Sequence, residues 1–433
     1  MLALILRFSI ERRQLILVFV LALSALGLYN FTKLPIDAVP DITNVQVVIN
    51  TEANGYTPLE VEQRITYPLE TALAGMPNLT YTRSLSRYGL SQVVAIFSDE
   101  TDIYFARQLV NERIGAAKSA LPEGVEPQLG PISTGLGEIY MFTVDAIPGA
   151  TNPDGSDITP TQLRTVHDWI IRPQLMQVEG VVEVNPVGGY KREILVAISP
   201  EKLMQHALTQ DDVMQAISAH NQNQGAGFIE RNGSQWLVRL PGQIEQLEQL
   251  AQVPIRTQSG QMLTIQDVAS IEEGKELRSG AATQNGHEVV LSTVFMLIGE
   301  NSQKVAKDVA MRLQDINRSL PNGVALNPVY DRTKLVNNTL RTVETNLLEG
   351  AILVVVILFL LLGNIRAALL TAAVIPFAML MTVTGMVQTR TSANLMSLGA
   401  LDFGLLVDGA IIIVENCIRR LSIATQQGAL PLK

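Results

Sequence analysis

Three carboxylates fall in one apolar stretch near the end of the chain. Residues 401–416 read LDFGLLVDGAIIIVEN, and Asp402, Asp408 and Glu415 are its only charges. In a membrane helix each acid costs about 2.5–3.5 kcal/mol at the bilayer centre, a penalty met mainly where acids relay protons or balance a cation. The seven-residue step from Asp408 to Glu415 leaves the two about 20° apart on one face and about 10 Å apart along the axis. Asp402, six residues before Asp408, is turned about 120° away, so the pair lines one seam and Asp402 faces another neighbour. Gly399, Gly404 and Gly409 leave room for close helix approach. Blander readings stand beside this one. Asp402 can cap a helix, and Glu415, close to Arg419 and Arg420, can reach water. Asp408, in mid-span, fits neither description. Asp402–Gly404 also spells the kinase D-F-G triplet, but its flanks are apolar and no catalytic-loop signature accompanies it.

The elements that must hold these acids are themselves apolar. From Leu347 to Arg419 the only charges are Glu349, Arg366, Arg390, Asp402, Asp408, Glu415 and Arg419. Three spans fit there: Leu347–Leu362, Ala367–Gln388 with Pro376 inside it, and Asn394–Ile418 with the acids. Pro in a membrane helix is tolerated where neighbours satisfy the freed carbonyl. A fourth span, Leu15–Tyr29, is preceded by Arg7, Arg12 and Arg13. It is slightly shorter than the ~20 residues that cross hydrocarbon, and Ala22-Leu23-Ser24 also offers a signal-peptide cleavage pattern. Basic residues gather on one side (Arg7, Arg12 and Arg13, then Arg366, then Arg419 and Arg420). That bias puts both ends of the chain in the cytoplasm and residues 34–336 across the membrane.

Residues 34–336 read as water-soluble α+β structure. Strands over Asn44–Thr51, Thr80–Ser86 and Gln92–Phe97, helices over Pro58–Ala74 and Asp102–Ser119, and a strand near Pro127 give the order β-α-β-β-α-β. That order predicts a ferredoxin-like split unit. A second copy is suggested by Ala106-Arg107 matching Ala306-Lys307, and by LPEGV at 121–125 matching LPNGV at 320–324. Generic helix-stop chemistry explains the latter pair as well. The second unit is read from Glu138 through a helix over Thr161–Gln177, with strands Arg192–Ile198 and Glu288–Met296 and a last strand beyond Gly323. Between those two strands, residues 200–285 are too long for a connection and predict an inserted subdomain.

Composition narrows the function classes. Charged residues are 17% of the 433, against a typical ~25%, and the net charge is −9. The acidic balance argues against a nucleic-acid partner, which needs a basic face. The single cysteine, Cys417, excludes an internal disulfide framework. No G-x-x-x-x-G-K-[ST] loop occurs, since Gly274-Lys275 is followed by Glu276. The chain therefore shows no ATPase engine of that type, no enzyme activity is expected, and no cofactor is implied. His167, His206, His220 and His287 lack zinc-ligand spacing.

DFGLLVDGAIIIVEN resembles the fourth-helix signature of the heavy-metal efflux branch of the resistance-nodulation-division transporters, most of all the cobalt-zinc-cadmium resistance type. PIDAVPDITNVQV (35–47), TVHDWIIRPQL (165–175) and YDRTKLVNNTLRTVETNLLEGA (330–351) are similar to the same family. The resemblance implies an α+β membrane protein of the inner membrane: a proton-driven antiporter, working as a homotrimer with a periplasmic adaptor protein and an outer-membrane channel. Asp402, Asp408 and Glu415 would be its proton relay, and the cargo a divalent ion of the zinc, cobalt, cadmium or nickel class. The implied layout is helix 1 within 1–33, porter subdomains over 34–134 and over 135–199 with 286–332, a docking subdomain over 200–285, helices 2–4 over 333–420, and a cytoplasmic tail over 421–433. Family members carry twelve membrane helices in two similar halves. The resemblance thus makes this chain an N-terminal part, with the relay's basic partner and most metal-site residues in the other half.

Metal choice is also read through the resemblance. Copper and silver members carry a methionine where this chain has Val407, and tend to an aromatic where it has Glu138 in GLGEIY. Carboxylate oxygen suits borderline divalent ions, whereas thioether suits Cu(I). Glu138 is therefore the first metal-contact candidate and Asp168 the second. Each has a plain alternative, a strand-edge acid for Glu138 and a structural acid beside Trp169 for Asp168. Met396 matches a family methionine but reads as packing, and Cys417 as a small apolar residue. A drug exporter of the same superfamily is the rival reading, disfavoured by 5% aromatics. A non-transporting truncated scaffold is the other.

Overall fold

The computed structural model describes residues 8–9, 11–32, 34, 36–37, 43–240, 242–257, 259–276, 280–362, 365–389, 392–394 and 403–426. Strand β1 (Gln46–Glu52) alternates buried Val47, Ile49 and Thr51 with half-exposed neighbours, the period of a strand with one covered face. A helical stretch over 58–73 follows. Its start is a capping box, in which the Thr57 hydroxyl accepts from the Glu60 N–H while the Glu60 carboxylate accepts from the Thr57 N–H. Pro58 stands in the first turn, where no N–H is required. The hairpin of β2 (Leu79–Arg87) and β3 (Leu90–Phe97) leads to helix Ile103–Ala117, capped by Asp102, and then to β4 (Pro127–Leu129). Helix positions Ala106, Val110, Ile114 and Ala117 share one face and pack on Val47, Ile49, Val93 and Ala95 of the sheet. The antiparallel order β2-β3-β1-β4 is that of a ferredoxin-like unit.

The second unit opens with β5 (Glu138–Ala146), a helical stretch over 160–175 and β6 (Val181–Val187). An inserted block then contains β7 (Arg192–Ile198), β8 (Gln224–Arg231), β9 (Ser234–Leu240), β10 (Pro254–Arg256), β11 (Met262–Thr264) and β12 (Ala269–Lys275). These pair as β7-β12, β8-β9 and β10-β11. Leu203, Val213, Leu250, Ile255, Ile265 and Val268 form a separate small core there. The chain returns as β13 (Ala282–Gln284), β14 (His287–Met296), helix Ser302–Ser319 and β15 (Val324–Asp331). The order β6-β14-β5-β15 repeats that of the first sheet, and β13 also pairs with β14.

One strand expectation is corrected. Arg192–Ile198 pairs with Ala269–Lys275 outside the second sheet, and the strand beside β14 is Val181–Val187. Pro186 masks that strand in the sequence, yet β6 is an edge strand, where a missing N–H is tolerated. Beyond it Gly188 and Gly189, at φ of 86° and 65°, turn the chain away. A Cβ on Gly188 would lie 2.6 Å from the Val289 carbonyl oxygen, so only glycine fits that close approach.

The repeat extends to finer detail. In both units the first helix carries a wide π turn, Glu62–Thr66 and His167–Ile171, running into Tyr67-Pro68 and Arg172-Pro173. Proline offers no N–H to the carbonyl four residues back, and the extra residue in the turn accommodates the gap. From each turn a buried polar side chain crosses to the sheet. The Thr66 hydroxyl lies 2.7 Å from Ser91 Oγ on β3, and His167 Nε2 lies 2.9 Å from Ser292 Oγ on β14.

Among the described residues two helices are long and apolar enough to cross a membrane, Arg13–Phe31 and Ile365–Gln388. The second breaks at Ala373 into Ile365–Ala372 and Val374–Gln388. Pro376 is the cause, since it cannot bond the Ala372 carbonyl and its ring crowds it. Of the other two expected crossings, Leu347–Leu362 falls within helix Arg332–Leu362, while Asn394–Ile418 is met by helix Phe403–Gln426 only from Phe403 on, residues 395–402 lying outside the described residues.

Candidate functional site

Asp408 and Glu415 both lie on helix Phe403–Gln426, two turns apart. That helix packs against Ile365–Ala372 and Val374–Gln388. Glu415 is exposed in this chain. Asp402 and Met396 lie outside the described residues. Gly409 does not serve close approach here, because a Cβ on it would meet nothing within 4 Å. The tight helix crossing is elsewhere: a Cβ on Gly27 would lie 2.6 Å from the Leu380 carbonyl oxygen, where Arg13–Phe31 packs against Val374–Gln388.

Glu138 follows the short turn Gly135–Gly137 and begins β5, half-buried, with no side-chain hydrogen bond or ion pair among the described residues. In register it stands opposite Phe295 of β14, whose other neighbour is Glu183 of β6. Two strand spacings, about 10 Å, separate the backbones of these two residues, with Phe295 between them.

Asp168 is engaged. Its Oδ2 accepts from Arg164 Nε at 2.9 Å, and its Oδ1 lies 2.8 Å from His167 Nδ1. Burial works to raise the Asp168 carboxyl pKa, but the hydrogen bonds from His167 and Arg164 overcome it and hold the group below its ordinary value. An ionised carboxylate only accepts, so the His167 proton sits on Nδ1 and Nε2 accepts from the Ser292 hydroxyl. Burial also pushes the imidazole below its ordinary 6.5, outweighing Asp168 beside it. The order Ser–His–Asp is that of a hydrolase triad, yet Ser292 and His167 are both 0% exposed. No substrate can reach the hydroxyl, and the network ties helix to sheet. Among the described residues no group of three or more His, Cys, Asp or Glu is arranged to hold a metal ion.

A buried ion pair that local sequence reading missed joins the apolar helices to the second sheet. Arg332 donates to Asp37 Oδ1 from Nη2 at 2.7 Å and from Nε at 3.1 Å, and the two side chains are 6% and 16% exposed. Both residues stand in stretches that resemble the family, PIDAVPD and YDRTKLV, but nothing local pairs positions so far apart.

The AcrB/AcrD/AcrF family pattern matches residues 5–431. The cation efflux system protein CzcA of Alcaligenes sp. is 58% identical over 428 residues, covering 99% of this chain and 40% of that protein. The cobalt-zinc-cadmium resistance protein CzcA of Cupriavidus metallidurans is likewise 58% identical over 428 residues, with the same coverage. A crystal structure of a heavy metal efflux pump superposes with a TM-score of 0.84 at 32% identity, over 96% of this chain and 41% of that one. The chain thus spans about two-fifths of the length of the proteins it matches. Sequence and fold agree over at least 96% of its length, and the chain belongs to the AcrB/AcrD/AcrF family, within the heavy-metal efflux branch of the resistance-nodulation-division transporters.

Proposed function

We propose that this chain contributes the proton-relay helix and two porter sheets of an inner-membrane pump that exports divalent cations of the zinc, cobalt and cadmium class in exchange for protons. The observation that carries the reading is 58% identity, over 99% of the chain, to a relative named for cobalt-zinc-cadmium resistance. In this reading the four long helical regions cross the membrane, and Asp408, with Asp402 and Glu415, takes protons from the periplasm and releases them inward. One proton moving down 100 mV supplies about 2.3 kcal/mol, so the proton gradient is a sufficient energy source. Glu138 is the preferred metal contact, because its oxygens have no partner among the described residues while those of Asp168 are held by Arg164 and His167. The working form is a homotrimer, with block 200–285 docking toward an outer-membrane channel and the porter sheets meeting a periplasmic adaptor.

The test is metal-driven proton movement in proteoliposomes made with a full-length pump carrying this sequence. Asp408→Asn keeps size and hydrogen bonding but cannot ionise, and is expected to abolish coupling while leaving zinc binding measurable. Wild-type coupling in that variant would overturn the relay. In the same assay Glu138→Ala removes one oxygen ligand and should raise the zinc KM. An unchanged KM takes the metal role away from Glu138.

A further inference from the structure

We propose that Asp37 and Arg332 are positioning residues for metal–proton exchange, a buried ion pair that locks the connector ahead of the relay helix to the end of the second porter sheet. The proposal rests on the pump reading above and adds to it the element through which sheet and relay helix move together.

The geometry on the sheet side is direct. Arg332 opens helix Arg332–Leu362 and follows Asp331, the last residue of β15, so no loop separates helix from strand. Asp331 stands opposite Tyr140 of β5, two residues along from Glu138. The Ser302 hydroxyl, at the start of the helix that covers the same sheet, donates to the Ile36 carbonyl at 3.2 Å.

On the membrane side, the Asp37 N–H donates to the Ala393 carbonyl at 3.0 Å, and Ile36 bridges Ala393 in parallel. Ala393 packs in a small apolar cluster with Leu34, Val383 and Met386. It belongs to the connector between Val374–Gln388 and Phe403–Gln426, the helix that carries Asp408 and Glu415. Ile36 and Asp37 are therefore gripped by the sheet's helix, by the residue that follows its last strand, and by Ala393 of the connector.

An apolar pair of similar volume would hold such a junction at least as firmly, since a buried ion pair recovers little beyond its desolvation cost. What the pair adds is fixed geometry. The guanidinium directs two N–H groups at one oxygen, so a shift of β15 moves Asp37 and, through its backbone, Ala393. Such a junction transmits displacement between two sites that share no ligand, which is what ion–proton exchange requires.

The experiment uses the full-length pump in proteoliposomes. Asp37→Asn is expected to lower zinc-driven proton turnover by about ten-fold at equal pump content while the zinc KM stays within about two-fold. Arg332→Lys keeps the charge but loses the fork, and should fall between. A merely structural pair would lower the amount of trimer and its melting temperature but leave turnover per folded pump unchanged, and that result overturns the proposal. If Asp37→Asn does not accumulate, the same ratio of turnover to folded pump in Arg332→Lys separates the two roles. Failure of the pump reading itself shows differently, as no zinc-driven proton movement in the unaltered protein. Amide exchange then decides: either variant must speed exchange at Asp37 and at the amides of β15, and unchanged exchange at both overturns the junction.

Discussion

Between Asp168 and Ser292 the His167 imidazole has no edge open to water, and charging it there costs more than Asp168 returns. The consequence for stability has a definite sign. Above its ordinary 6.5 the imidazole is neutral in folded and unfolded chain alike and contributes nothing. As pH falls through 6.5 the unfolded chain binds a proton that the folded chain refuses until its lower pKa, so stability drops across that window. Asp168 acts further down: its folded-state pKa is lowered, so its contribution is intact above 3.8 and is lost as pH falls through the folded value. Melting of the purified chain between about pH 7.5 and about pH 5.5 should therefore fall in the wild type and flatten in His167→Gln. Equal slopes would reject the assignment. Ser292→Ala, which strands Nε2 without a donor, should cost about 1–3 kcal/mol in the same melts at neutral pH.

At the scale of elements, the apolar helices divide into those that meet within this chain and those that present open faces. Gly27 is the point of closest contact, and a larger side chain must force Arg13–Phe31 off the backbone of Leu380. Gly27→Val should destabilise the detergent-solubilised chain by about 1–3 kcal/mol, the usual range for overpacking. Gly409→Ala is the matched control, since its Cβ meets open space, and it should melt as the wild type does. Equal behaviour of the two variants would show that this crossing does not contribute to folding. The kink before Pro376 belongs to the same scale, because one absent N–H sets where Ile365–Gln388 bends.

For the whole molecule the question is which side of the membrane the two sheets occupy. By the positive-inside rule, Arg7, Arg12, Arg13, Arg366, Arg419 and Arg420 predict that the short polar ends face the cytoplasm and that the sheets lie outside. Glu123, exposed beyond the first unit's second helix, is a suitable reporter once Cys417, itself exposed, is replaced by serine. Glu123→Cys should react with a membrane-impermeant maleimide on intact spheroplasts. Labelling only after lysis would invert the topology.

Much of this architecture was legible from residue order. Runs of strand-forming residues marked β1, β3 and β5, Pro58 marked a helix start, and the apolar run around Asp408 and Glu415 marked the helix that carries them. These signals are local, because a strand's covered face and a helix's cap are set by residues within a few positions. What the sequence left undecided depends on distant partners. VVEVNPV reads as a poor strand until β14 is found beside it, and REILVAI reads as a good one without saying that its neighbour is β12. Asp168 reads as either a metal contact or a structural acid until Arg164 and His167 close on both oxygens. Asp37 and Arg332 meet only because the second sheet returns the chain to the end of the first apolar helix, and burial there leaves each charge the other as its compensation. Periodicity and caps fixed the elements; the pairing of strands, the closure of polar networks and the meeting of buried charges were decided by the tertiary structure, since each is a contact between positions whose separation in sequence carries no information about their separation in space.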